Sequence, residues 1–215
     1  MRGLLRNNIY SMESNIKMSV GISLVLMAVA WLARERVVSM VLAMQIFVFI
    51  ANMGTSLQVD ENSRWAKFEL TLPVRRSAII EAKYLSFLFL ILLGILVSIP
   101  TCAGLVLMGR ESYLSQIMYG YEFGISLAVI TIALIYPPLL KLGAEKSELL
   151  LCLGAVGAIV LMGVVSIAIF IMETFMIKNP EPGYSLAGVP TVVFGFGLLA
   201  LSFLVSRKIY EKKEF

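Results

Sequence analysis

The sequence predicts an all-α polytopic membrane protein with six transmembrane helices, and three observations carry that prediction. Hydrophobic residues make up 59% of the 215-residue chain, and the mean hydropathy is +0.89, well beyond a soluble globular domain. Only 15% of residues are charged, and they cluster between apolar runs instead of spreading over helix faces. The runs themselves have the length, about 20 residues, that crosses the hydrocarbon layer of a bilayer. Residues 1–215 read as a single transmembrane domain, with no room left for a soluble catalytic unit.

Residues 1–16 open the chain with Leu4, Leu5, Ile9, Met12 and Ile16 spaced to share one helical face, while Arg2, Arg6, Asn7 and Asn8 take other positions. That pattern predicts an amphipathic helix lying in the membrane interface. No small-residue cleavage pattern follows it, so the first segment is expected to remain in the mature protein.

Six apolar runs follow, at about 18–33, 37–57, 84–108, 123–140, 149–172 and 188–206. Orientation follows from the basic residues between them. With the N-terminus cytoplasmic, fourteen of the eighteen Lys and Arg residues lie inside, leaving Arg34, Arg36, Arg110 and Lys178 outside. Both termini are therefore expected in the cytoplasm. The outer loop 109–122 carries Tyr113, Tyr119 and Tyr121, suited to an interfacial aromatic belt, and loop 173–187 turns at Pro180, Pro182 and Gly183.

Polar residues inside the runs are few. Gln45 and Asn52 read first as helix–helix hydrogen-bonding groups and second as substrate contacts. Met44 and Met53 could line an adaptable apolar path or simply fill space. Gly154, Gly157 and Gly163 in the fifth run, with Gly195 and Gly197 in the sixth, permit close packing. Pro100 can kink the third span, and Pro137-Pro138 is expected to end the fourth. Cys102 and Cys152 fall in apolar runs as packing residues.

The longest polar interruption is residues 58–85, QVDENSRWAKFELTLPVRRSAIIEAKYL, which holds the chain's only Asp, Asp60. Trp65, Phe68 and Leu72 stand at i, i+3 and i+7, so one face of a short helix over about 62–72 is apolar. Pro73 disfavours helix at Leu72 and stops it there. Ser77 is expected to cap the next helix, with Glu81 in its first turn, and that helix should run from the cytosol into the bilayer unbroken. Arg75, Arg76, Lys83 and Tyr84 read as lipid and interface anchors. The apolar face offers a helix that docks into a groove of a cytosolic partner; the alternative is a loop resting on lipid headgroups.

Asp60-Glu61-Asn62-Ser63-Arg64-Trp65, Leu72-Pro73-Val74-Arg75-Arg76, Ile79-Ile80 and Lys83-Tyr84-Leu85 together resemble the ABC-2 type permease family. In particular they are similar to the small permeases of bacterial exporters of phenol-soluble modulins, which are amphipathic, antimicrobial-type peptides. Arg75 departs from that pattern, where Ser is usual, as does Asn7-Asn8, where a Lys-Asp pair is common. The resemblance covers essentially the whole chain. It implies a multi-pass protein of the bacterial cell membrane with a coupling helix seated on a separate ABC ATPase. Asp60, Glu61, Arg64, Trp65, Phe68 and Leu72 would contact that subunit. Two permeases, as a homodimer or a heterodimer, and two ATPases would form the working unit. ATP and Mg would be bound by the partner, and this chain would hold no cofactor.

Other classes fare poorly on the sequence. The chain has no His, a single Asp and no GxxxxGK[ST], which removes the Ser-His, zinc and paired-aspartate enzymes and any P-loop of its own. The net charge of +4 sits at the ends of apolar runs, without a basic stripe interleaved with aromatics, so nucleic acid is not a partner. The spans hold almost no ionisable residues away from their ends, which disfavours ion-coupled secondary transport. An exporter of lipids or hydrophobic drugs, and a membrane scaffold subunit, are the remaining alternatives.

Overall fold

The computed structural model describes residues 2–32, 34–63, 65, 68, 75–110, 113–143, 146–176 and 188–212. These form the helices α1 (Arg2–Ser11), α2 (Glu13–Leu32), α3 (Glu35–Asn62), α4 (Arg76–Leu107), α5 (Leu114–Leu142), α6 (Ser147–Met176) and α7 (Gly188–Lys212). All but α1 are long and apolar enough to cross a membrane, and among the described residues there is no strand. The chain is an all-α bundle with six candidate spans, as its hydropathy predicts.

α3 and α5 are the axis of the bundle. α2 and α4 pack against α3, while α6 and α7 pack against α5. Within their apolar windows α3 and α5 are 61% and 67% buried, whereas α6 is only 11% buried and turns nearly all its surface outward. The close approach of the two central helices comes from Gly120 and Gly124, one turn apart on α5. A Cβ on either would lie 2.9 Å from the Cα of Ser39 or Ala43 on α3. This is the small-xxx-small device that lets membrane helices gain contact without a hydrophobic drive between them. The expectation of close packing through the later glycines holds at Gly154, which faces Ile135 on α5. It does not hold at Gly163 or Gly197, where a Cβ would meet nothing.

The prolines behave differently from expectation. α5 continues through Pro137-Pro138 to Leu142 and stops at Gly143, whose positive φ of 85° is a backbone conformation that glycine adopts without steric cost. Two missing N–H donors do not break it because Tyr136 and Leu139, on either side, are buried in tertiary contacts. Tyr136 meets Tyr84 edge-on at 4.9 Å between ring centroids and Phe87 at 5.2 Å, joining α5 to α4. α5 also begins at Leu114, so most of the expected outer loop 109–122 is helical. Tyr121 is half-buried there, its hydroxyl accepting from Ser98 Oγ at 2.9 Å instead of facing an interface.

α4 runs unbroken over 32 residues, about 48 Å at the usual rise and well beyond the hydrocarbon thickness. Its N-cap is Arg75, in an extended conformation and without a side-chain cap, so Ser77 lies within the first turn and does not cap it. At the N-terminus the expected helix 1–16 is divided. α1 ends at Ser11, Met12 forms a turn, and α2 starts at Glu13. Leu4, Asn8 and Met12 of this segment are buried, because α1 lies on α4 and α3.

Candidate functional site

α1 and the last turns of α7 lie at one end of the bundle, with many of the described basic residues. α1, the last turns of α3, the first turns of α4, the α5–α6 connection and the last turns of α7 meet there. Arg76 on α4 donates to the Glu211 carbonyl of α7 at 3.2 Å, a cation placed on a helix C-terminus. Gln58 on α3 donates to Ser147 Oγ at the start of α6 at 2.7 Å. Gly143 brings the α5–α6 connection against Glu61; a Cβ there would lie 3.3 Å from Glu61 Oε1.

At the centre of this end is a buried polar knot built by three helices. On α3 the inward stripe Phe49, Met53, Ser56 continues one turn further to Asp60. On α4 Ile79, Ile80 and Phe87 define an inward stripe into which Lys83 falls. Lys83 Nζ forms an ion pair with Asp60 Oδ2 and donates to Asn8 Oδ1 of α1 at 2.8 Å. Asn8 Nδ2 donates to Ser86 Oγ at 3.2 Å, and Ser86 Oγ donates to the Ala82 carbonyl. Ser11 Oγ donates to the Asn8 carbonyl and lies 3.3 Å from Ser56 Oγ. The residues Asp60, Lys83 and Asn8 are 6%, 5% and 1% exposed, so the charges compensate one another inside the protein.

Immediately beyond this knot the chain enters the expected coupling segment. Trp65 is half-buried and Phe68 exposed, with ring centroids 5.2 Å apart. The spacing that predicted one apolar face therefore brings these two rings together. Arg64 and Leu72 lie outside the described residues. Glu61 and Arg75 are exposed, and Arg76 is exposed as well as bonded to α7.

Two expectations for this segment are corrected. Asp60 is not part of an exposed docking face, because its carboxylate is committed to Lys83 within the protein. Lys83 and Tyr84 are not lipid anchors. Lys83 points to Asp60 and Asn8, while the Tyr84 hydroxyl lies 2.8 and 2.9 Å from Ser202 and Ser206 Oγ on α7. Tyr84 is also enclosed by Tyr136 and Phe203, the latter at 5.3 Å. Both residues sit at the start of an apolar run, where a surface role is the usual reading. The α4 stripe turns them inward instead.

A second polar knot lies deeper, between α2, α3 and α4. Gln45 Nε2 donates to the Ser23 carbonyl at 2.9 Å and to Thr101 Oγ1 at 3.0 Å. Trp31 Nε1 donates to the Thr101 carbonyl at 3.2 Å. Asn52 Nδ2 donates to Ser19 Oγ and to the Phe49 carbonyl. Gln45 and Asn52 thus make helix–helix and local bonds. Met53 is fully buried, while Met44 is exposed on the outer side of α3, so the two do not share a lining within one chain.

Asn8, which the sequence pattern sets off the apolar face of α1, is turned inward by its spacing of four from Leu4 and Met12. Among the described residues no group of three or more His, Cys, Asp or Glu side chains could hold a metal ion. The basic end thus brings together half-buried Trp65 and exposed Phe68, a buried ion pair and the long helix α4 that leaves from it.

The family model described as ABC-2 family transporter protein matches residues 3–211. No curated protein and no solved structure matches the chain.

Proposed function

The chain belongs to the ABC-2 transporter family, and on that premise we propose that it is the permease of an exporter of amphipathic peptides. ATP and Mg are bound by a separate ABC ATPase seated on the segment after α3. The basic end of the bundle faces the cytoplasm of a bacterial cell, a placement that the distribution of Lys and Arg supports. Two copies of this chain and two ATPases form the working unit.

The observation that carries this reading is the paired Trp65 and Phe68 just beyond the Asp60–Lys83 joint. An exposed ring at the polar end of the bundle is well placed to enter a groove in a partner. Closure of the ATPase pair pushes on these rings. The push reaches α3 through its last turn and α4 through the Asp60–Lys83 ion pair, which ties the two helices together on either side of the segment. α1 moves with them, since Asn8 bonds both Lys83 and Ser86. The result is a shift of the long α4 lever and a change in the gap between protomers. The outward-facing surface of α6 supplies apolar area for lipid or for a second copy.

Amphipathic peptide as cargo follows from the resemblance of the 58–85 segment to permeases of peptide exporters, and an apolar span surface suits such cargo. The docking role is tested by replacing Trp65 and Phe68 with Ala and purifying the permease with its ATPase. The expected result is loss of the ATPase with normal permease insertion. Retention at unchanged stoichiometry would remove the docking role. Cargo is tested separately, by export of an amphipathic helical peptide from cells expressing both subunits.

A further inference from the structure

On the flank of the bundle at its basic end, α1, α4 and α7 leave an open groove of about 420 Å³. Leu5 of α1, Leu85 and Leu88 of α4 and Phe203 of α7 give it apolar walls, and Glu81 supplies a carboxylate at the end nearest the start of α4. Glu81 to Leu88 stand about 8 to 18 Å along α4 from its first residue, so the groove descends from the headgroup region into the hydrocarbon of one leaflet. A second recess, of about 480 Å³, adjoins it at Leu5 and is lined by Arg6, Ile9, Tyr10 and Glu13.

The charges at this junction stay open to a guest. Arg6 donates to the Tyr10 hydroxyl at 3.1 Å, and its guanidinium lies over the Tyr10 ring, 5.3 Å from the centroid, which holds it on the exposed side of α1. Glu13, in the same recess, is committed to Lys17 at 2.7 Å. Glu81 is half-buried, and among the described residues neither it nor Arg6 forms an ion pair. Asp60 and Lys83, the buried charges at this end, close on each other. Arg6 and Glu81 instead flank one leucine on two packed helices without meeting.

We propose that this junction binds a phosphatidylethanolamine molecule of the leaflet at the basic end. Its phosphate meets Arg6, its ammonium donates to Glu81, and one acyl chain lies along Leu85, Leu88 and Phe203. Leu85 and Leu88 are 54% and 37% exposed on the bilayer side, so hydrocarbon fills the groove and the two charges choose the head. An amphipathic helix, about 10–12 Å across, is too wide for a groove of this size. A choline head has no N–H to give Glu81, and a glycerol head brings no positive charge to it. Tyr84 walls the groove while its hydroxyl meets Ser202 and Ser206, so the bound chain braces the seam between α4 and α7.

The test offers the full chain in detergent equal amounts of phosphatidylethanolamine, phosphatidylcholine and phosphatidylglycerol, and reads bound lipid by native mass spectrometry. Phosphatidylethanolamine should be retained about fivefold over the other two, and Glu81→Gln should bring it level with phosphatidylcholine. Arg6→Gln should lower retention of all three. Leu88→Trp, which fills the groove and alters neither charge, should do the same and serves if Glu81→Gln does not fold. Equal retention of the ethanolamine and choline lipids by the unaltered chain would overturn the proposal. So would a preference that survives both Glu81→Gln and Leu88→Trp. Displacement of the bound lipid by an equimolar amphipathic helical peptide would also overturn it, and would make the groove a peptide site. Neither ATPase association nor export enters the readout, so failure here leaves the proposed function standing.

Discussion

Two polar knots join α3 to α4, and they are built differently. The one at the basic end is ionic, with Asp60 and Lys83 paired and Asn8 of α1 closing the set. The deeper one is neutral, with Gln45, Thr101 and Ser23 sharing amide and hydroxyl bonds. Depth explains the choice. An ion pair is tolerable one or two turns from the polar end, where α1 covers it. Mid-span, a neutral amide satisfies the same helices without a charge to desolvate. The ionic joint also lies at the root of the segment that carries Trp65 and Phe68, so force applied there meets the stiffer connection first.

The contrast predicts an order of effects. Lys83→Met should be the most damaging, at about 3 kcal/mol, because it leaves the Asp60 carboxylate buried without its partner. Combining it with Asp60→Asn should recover most of that loss, as measured by unfolding in mixed micelles. If the double variant is as unstable as the single one, the pair is not the joint described above. Gln45→Leu removes the amide of the neutral knot and should cost about 1 kcal/mol, in line with interhelical hydrogen bonds in membranes. Asn8→Ala should cost a similar amount and should loosen α1 selectively, seen as faster proteolysis near residue 11 without unfolding of the spans. Trp65→Ala with Phe68→Ala should change stability by less than about 0.5 kcal/mol, since Phe68 is exposed, while ATPase association is lost. An unstable Trp65/Phe68 variant would make the ring pair a structural element of the bundle instead of a contact surface.

Much of the architecture was legible from hydropathy alone, because span length and apolar content are set by the bilayer and need no tertiary knowledge. The entry of α4 from the polar end was legible in the sequence after Pro73, and the helix does not end at Pro100 but continues to Leu107. What escaped was which face each polar residue takes. Lys83 and Tyr84 stand at a membrane-run boundary, and boundary position argued for lipid; the four-residue spacings to Ile79, Ile80 and Phe87 point inward and prove decisive. Pro137-Pro138 has the propensity of a helix terminus, which the packing of Tyr136 against Tyr84 and Phe87 overrides. The Gly120–Gly124 pair was readable as a packing motif, but its place beside three tyrosines made that stretch resemble a loop. Asn8 needed α1 to fold onto α4, and a short amphipathic helix does not disclose whether protein or lipid lies beneath it.

The most direct measurement places a photo-crosslinking amino acid, p-benzoylphenylalanine, at position 68 in cells expressing permease and ATPase, with a control at position 170 on the opposite end. The account predicts a permease–ATPase adduct from position 68 and none from position 170. Adducts from position 68 to lipid or to the permease alone, with no ATPase captured, would contradict it.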